Sequence, residues 1–238
     1  MALGGGTYQT QNKVLPGAYI NFVSRPRAMG TMGERGTVSI GMALDWGQKE
    51  MMTVEASEFQ TNALERFGYG YSHEKMKNIR ELFLGAKTVK LFRLNGGTAA
   101  SATIGSLTVT AKYGGSRGNA IRMAETQKEE EAEKFEVEKY LDLEQVDIQT
   151  VATAEELQEN AYVIFQGSGT LTATAATPLT GGTTTEVDGN AYTAFLAAAE
   201  AEDFQVLVYD VTDDVTKKLF LTFTKRLREE EGVKFVTV

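Results

Sequence analysis

With 238 residues, 42% of them hydrophobic and 24% charged, the chain has the composition of folded protein spanning about two domains, which excludes a wholly disordered one. Its net charge of −8 and pI near 4.9 argue against nucleic-acid binding, because the densest basic groups, Lys217–Lys218 and Lys225, Arg226 and Arg228, lie beside Asp213–Asp214 and Glu229–Glu231. The absence of cysteine excludes disulfides, thiolate zinc sites and thiol nucleophiles, and no apolar run reaches the roughly 20 residues of a membrane span.

Met1 leads into Ala2-Leu3-Gly4-Gly5-Gly6 without a basic or apolar leader, so no signal peptide is expected and the chain reads as cytosolic. Residues 1–24 do not read as a domain. They are polar and glycine-rich up to Asn12, after which Val14, Tyr19, Ile20 and Phe22 surround a Pro16-Gly17 break. β-favouring residues without an adjacent return strand imply either an extended arm that pairs elsewhere or an edge strand of the following domain.

Residues 25–97 read as a small α+β unit. Val38, Ile40, Met42 and Leu44 alternate as in a half-buried strand, ending at Asp45-Trp46-Gly47. Ser57 and Gln60 form a capping-box pattern that predicts a helix over 58–65, with Phe59 and Ala63 on one face. A second helix over 74–84 carries Met76, Ile79 and Phe83; Gly85 ends it, a strand covers 89–94, and Asn95-Gly96-Gly97 closes the unit.

From residue 98 to 170 the texture is Thr, Val, Ala and Gly. Short alternating stretches at 107–113, 121–123, 135–143, 146–148 and 162–165 predict a β-sandwich or barrel. Thr153-Ala154-Glu155-Glu156 reads as a capped single turn within it. Residues 170–188, low in complexity and containing Pro178 and Gly181-Gly182, predict a linker or exposed loop. An α/β pattern follows. Tyr192, Phe195, Leu196 and Ala199 mark a helix, and Phe204–Tyr209 an apolar strand of parallel type. Thr212 caps a second helix with Val215, Leu219, Phe223 and Leu227 as its buried stripe and Gly232 as its C-cap, before a last strand over 233–238. Such a run is about half a doubly wound sheet, so residues 171–238 are expected to be a linker and an incomplete α/β domain that continues past Val238. The fold class is therefore α+β multidomain.

Chemistry is hard to find. The only histidine, His73, lies among polar residues just before a predicted helix, which gives little support to a Ser-His-Asp triad and excludes a multi-histidine metal site. Gly114-Gly115-Ser116-Arg117-Gly118-Asn119 comes after a strand but lacks dinucleotide spacing, and Ala120 to Met123 reads as strand again, so a tight turn is the better reading. Asp210, Asp213 and Asp214 come after the parallel-type strand, where α/β folds place Mg²⁺ sites; the first turn of a capped helix for Asp213 and Asp214 and a turn for Asp210 are the better reading. The expectation is no enzyme and no cofactor, with an acidic Mg²⁺-dependent α/β enzyme or a surface-binding β-sandwich module as rivals.

Several stretches, taken together and in order, resemble contractile phage-tail sheath proteins, most closely those of defective prophages. They are Thr10–Phe22, Gly30–Gly36, Lys112-Tyr113-Gly114-Gly115-Ser116-Arg117-Gly118-Asn119 and Leu179-Thr180-Gly181-Gly182-Thr183, the last leading into an aromatic-bearing helix at Asn190–Ala199. The resemblance implies an N-terminal arm, a small α+β unit, a β-sandwich and an α/β domain that is subtilisin-like but non-catalytic. It implies a helical homo-oligomer around a tail tube, with tail tube protein, baseplate and tail terminator as partners, no nucleic acid and no membrane. It places the protein in the virion after assembly in the bacterial cytoplasm. Val14, Pro16, Gly17, Tyr19, Ile20 and Phe22 are then the arm residues that augment a neighbour's sheet.

Overall fold

The computed structural model describes residues 36–238; the arm and its residues Val14, Pro16, Gly17, Tyr19, Ile20 and Phe22 lie outside the described residues. The first strand β1 (Thr37–Met42) leads through β2 (Met51–Glu55), α1 (Ala56–Phe67), a 3-10 turn at Glu74–Met76 and α2 (Lys77–Gly85) into β3 (Thr88–Arg93). Seven strands come next: β4 (Ser101–Ile104), β5 (Leu107–Ala111), β6 (Ile121–Gln127), β7 (Phe135–Leu141), β8 (Glu144–Val151), β9 (Val163–Gly167) and β10 (Thr174–Pro178). The chain then runs through α3 (Gly189–Glu200), β11 (Val206–Val208), α4 (Asp214–Glu229) and β12 (Val236–Thr237).

The two α/β stretches, which the sequence divides into separate units at 25–97 and 171–238, share one sheet. Its strand order is β12-β11-β1-β3-β2, with β1 parallel to both β3 and β11 and only β2 antiparallel. The strands of the α/β run near the end of the described chain thus pair with those at its start. Alternation along the strands sorts side chains to two faces. Val38, Ile40, Val89 and Leu91 face α1 and α2, while Phe92, Leu94 and Leu207 face α3 and α4.

Between β3 and α3 the intervening chain forms a β-sandwich. A four-stranded sheet (β10-β6-β7-β8) and a three-stranded one (β4-β5-β9) close on a common core containing Leu107, Val109, Ile121, Met123, Val137 and Val163. The stretch 170–188 is not a free linker. It contributes β10, antiparallel to β6, and the fully buried Leu179. One charge is sealed inside. Lys139, 0% exposed, donates to Asp147 at 2.6 Å, and that carboxylate also accepts from Gln149 and Asn160 at 2.9 Å. The network joins β7 and β8 to the approach to β9, and burial holds the Lys139 ammonium below its ordinary pKa.

Local expectations differ in detail. α1 begins at Ala56 after Glu55, without the Ser57–Gln60 box. α4 is capped by Asp213, whose carboxylate accepts from Thr216 N at 2.8 Å, and not by Thr212. Its buried stripe is Thr216, Phe220, Phe223 and Leu227, which leaves Val215 79% exposed. Gly232, at φ 71, lies two residues past the C-cap Glu230.

Candidate functional site: the joint between sheet and sandwich

Two of the stretches that carry the family resemblance come together where the sandwich meets the sheet. The turn after β1 supplies Trp46, which is 1% exposed and belongs to the sandwich core, not to that of the sheet. Its indole N–H donates to Glu65 O at 3.1 Å, its ring meets Tyr113 edge-on at 5.2 Å, and Tyr162 stacks at 6.4 Å. Burial pushes the Tyr162 hydroxyl up to about 12.

Arg93, the last residue of β3, is the polar centre of the joint. It is 2% exposed and donates to Gly47 O at 2.6 Å and Gly114 O at 2.7 Å, tying the turn after β1 to the loop after β5. Asn95 Oδ1 accepts from Leu44 N at 2.9 Å and fixes the same corner. A buried guanidinium needs this degree of satisfaction to offset its desolvation, which lowers its pKa.

The loop Gly114-Gly115 fits because it has no side chains. A Cβ on Gly115, at φ 151, would lie 2.0 Å from Asp45 O, and one on Gly114 2.2 Å from Gly97 O. A short 3-10 turn over Ser116–Ala120 comes directly after it, where the sequence predicted strand to resume at Ala120. From it Arg117 reaches back: Nε donates to Gly68 O at 2.7 Å, and the guanidinium lies 4.3 Å over the Tyr69 ring. Its fork grips Asp142 at 3.1 and 2.6 Å. The Tyr69 hydroxyl donates to Asp45 at 2.7 Å beside Lys75, which pairs with the same carboxylate; burial, then Asp45, raises the Tyr69 pKa despite Lys75.

The second stretch, Leu179–Thr183, closes over the first. Asn119 and Gly182 exchange two bonds of 2.8 Å, side-chain amide against backbone. Thr184 Oγ1 accepts from Ser116 N at 2.9 Å, and Thr98 Oγ1 donates to Gly181 O at 2.9 Å. The motifs thus satisfy one another's backbone groups. Sequence patterning marks only the Gly-rich loop of this joint, as a turn; nothing local to Arg93, Trp46 or Arg117 points to it.

The three aspartates do not converge. Asp213 caps α4 and that role lowers its pKa, Asp214 is an exposed first-turn residue near Lys217, and Asp210 alone lines a cleft of about 580 Å³ at the carboxyl ends of β1 and β11. Among the described residues no group of three His, Asp or Glu could hold a metal ion, and no helix is long and apolar enough to cross a membrane. His73 accepts from Lys75 N at 3.2 Å as the cap of a 3-10 turn and stacks 4.5 Å from Tyr69.

Residues 95–186 match the family model for the phage tail sheath protein β-sandwich domain. The chain is 36% identical over 253 aligned positions to the phage-like element PBSX protein XkdK of Bacillus subtilis (strain 168), covering 98% of this chain and 54% of that protein. Among solved structures it resembles the sheath tail protein from Desulfitobacterium hafniense with a TM-score of 0.81 and 41% identity, over 93% of this chain and 52% of that one. The sheath tail protein Lin1278 from Listeria innocua matches with a TM-score of 0.77 and 37% identity, over 86% and 47% of the two chains. The chain therefore spans about half the length of the relatives it matches.

Proposed function

We propose, from the premise that this chain is a phage tail sheath protein over the span it matches, that it is the N-terminal part of a contractile sheath subunit. It is a structural protein, not an enzyme. In this reading copies polymerise helically around a tail tube, ending at the baseplate and the tail terminator, and contraction drives the tube through a cell envelope. The protein acts as part of the virion after assembly in the host cytoplasm.

The observation that carries the reading is the sheath β-sandwich match at residues 95–186, seated on the sheet through the motifs described above. Contraction by rigid-body rearrangement requires a subunit that does not flex internally, and the satisfied joint at Arg93, Trp46 and Gly115 supplies that stiffness. The five-stranded sheet would be the first part of the family's subtilisin-like, non-catalytic domain. Residues 1–24 would form the arm, with Val14, Tyr19, Ile20 and Phe22 as anchors and Pro16-Gly17 as the bend, adding a strand to a neighbour's sheet.

Negative-stain microscopy tests this reading: tubes or stacked rings are expected from the full-length protein, and a strictly monomeric protein at high concentration would overturn it. Deleting residues 1–22 should abolish assembly while leaving the melting transition intact. Loss of the fold would instead assign the segment to its own domain as an edge strand.

A further inference from the structure

One turn of the sandwich is fixed both by local preference and by contacts from elsewhere. β7 and β8 are joined by two residues, Asp142 and Leu143, between the paired Leu141 and Glu144. Asp142 has φ 57, the only positive φ at a non-glycine among the described residues, in a hairpin position that takes glycine, asparagine or aspartate. The turn is also held firmly from outside. Asp142 N donates to Ala120 O at 3.0 Å, and its carboxylate sits in the fork of Arg117, itself bonded to Gly68 O. What this clamped turn presents is Leu143, 89% exposed at a site where polar residues are usual. An anchored turn that displays an apolar side chain is a pre-organised contact.

The same molecule carries a matching recess. α3 and α4 enclose a groove of about 250 Å³ lined by Leu196, Ala197, Leu219 and Phe223, with Thr193 and Thr222 beside them and the Glu200–Arg226 ion pair at one end. Val215, one turn before Leu219 on the same stripe, extends its apolar side toward solvent. The charges beside the two features are complementary. Glu144 comes after Leu143, and Lys218 precedes Leu219; both are exposed and neither has an ion pair among the described residues. The hairpin is tied through Arg117 to Gly68, at the end of α1, whereas the groove lies on the opposite face of the five-stranded sheet, which α3 and α4 cover. One copy therefore cannot close this contact on itself.

We propose that Leu143 of one copy inserts into the α3–α4 groove of a second copy. Knob and groove are different surfaces on different faces, so the contact is heterologous and adds copies in an open series, not a closed pair. The proposal rests on the reading of this chain as a self-assembling sheath component and names one contact through which it assembles.

Because the chain contains no cysteine, the contact can be tested by single-site crosslinking. Full-length Leu143→Cys is mixed with a tagged Ala197→Cys chain under mild oxidation, and mixed disulfide dimers are resolved by mass. As the control, Leu143→Cys is mixed with Lys77→Cys on α2. Several-fold more mixed dimer than in the control is expected. Leu143→Asp should abolish self-association in sedimentation while leaving the melting temperature unchanged. Assembly that survives Leu143→Asp, with no excess mixed dimer, overturns the contact and leaves the sheath reading standing. Assembly lost in Leu143→Asp without excess mixed dimer overturns the groove as the knob's partner. A chain that stays monomeric throughout, with no excess mixed dimer, overturns both.

Discussion

Glu125 shows how a single side chain can leave a signature in the stability of the whole. It lies 2% exposed in β6, with Oε2 accepting from Thr172 N at 3.2 Å and Oε1 meeting no partner. Burial raises its pKa above the ordinary carboxylate value, more than the Thr172 bond lowers it. The folded state thus holds this proton more tightly than the unfolded one. Stability is greatest below the unfolded pKa and falls as pH rises through the folded one. Glu125→Gln should flatten that fall: its melting temperature, relative to the parent, rises between pH 4 and pH 8 in thermal scans. Arg93 makes the opposite case. Arg93→Met strips the donors from Gly47 O and Gly114 O, and urea unfolding should show a loss of roughly 3 kcal/mol, because buried acceptors are left unmet. Neither role is written in the sequence near these residues. Glu125 sits in an alternating strand like any surface glutamate, and Arg93 closes an apolar strand; only distant loops decide that both are buried.

Elements were legible to the extent that their own pattern decides them. The alternation of Val38 and Ile40 and the helical spacing of Met76, Ile79 and Phe83 all describe buried faces, because neighbouring residues suffice to define an amphipathic face. In α4 Phe223 and Leu227 are buried as expected, but the first half of the stripe is shifted by one residue, so Thr216 and Phe220 are inside while Val215 is out. β-branched and aromatic residues on both sides left the choice to the packing of Phe195 and Tyr209 against Phe220. The low-complexity stretch before α3 is mostly exposed, as its composition suggests, but β10 within it holds its place through backbone pairing with β6, which composition does not report. Two glycines separate turn chemistry from close approach. Gly181→Ala, at φ 79 with nothing within 4 Å, should cost only about 1 kcal/mol of backbone strain. Gly115→Ala, whose Cβ would press on Asp45 O, should cost roughly 3 kcal/mol or more and loosen the joint, read as a second, lower melting transition in calorimetry.

At the scale of the whole molecule, composition alone supported only a multidomain protein without evident chemistry, and the sheath assignment came from the resemblance and the matches that bear it out. The sandwich was legible because its Thr, Val, Ala and Gly texture sets it apart, and the sheath β-sandwich model matches there, at residues 95–186. The sharing of one sheet was not, since a parallel strand carries no mark of which partner it will meet. A fragment of residues 36–97 should therefore remain unfolded by circular dichroism, lacking β11 and the helices of the second face, whereas residues 95–186 should melt cooperatively as a β protein, destabilised by the loss of Trp46 from their core. The shared sheet also sets a timetable. Thr37 and Gln205 meet across 168 positions, so at bacterial rates of elongation β1 leaves the ribosome roughly ten seconds or more before its partner exists. For that interval Val38 and Ile40 line an open edge that the finished sandwich cannot cover, and a nascent chain must be kept from pairing that edge with its neighbours on the same messenger.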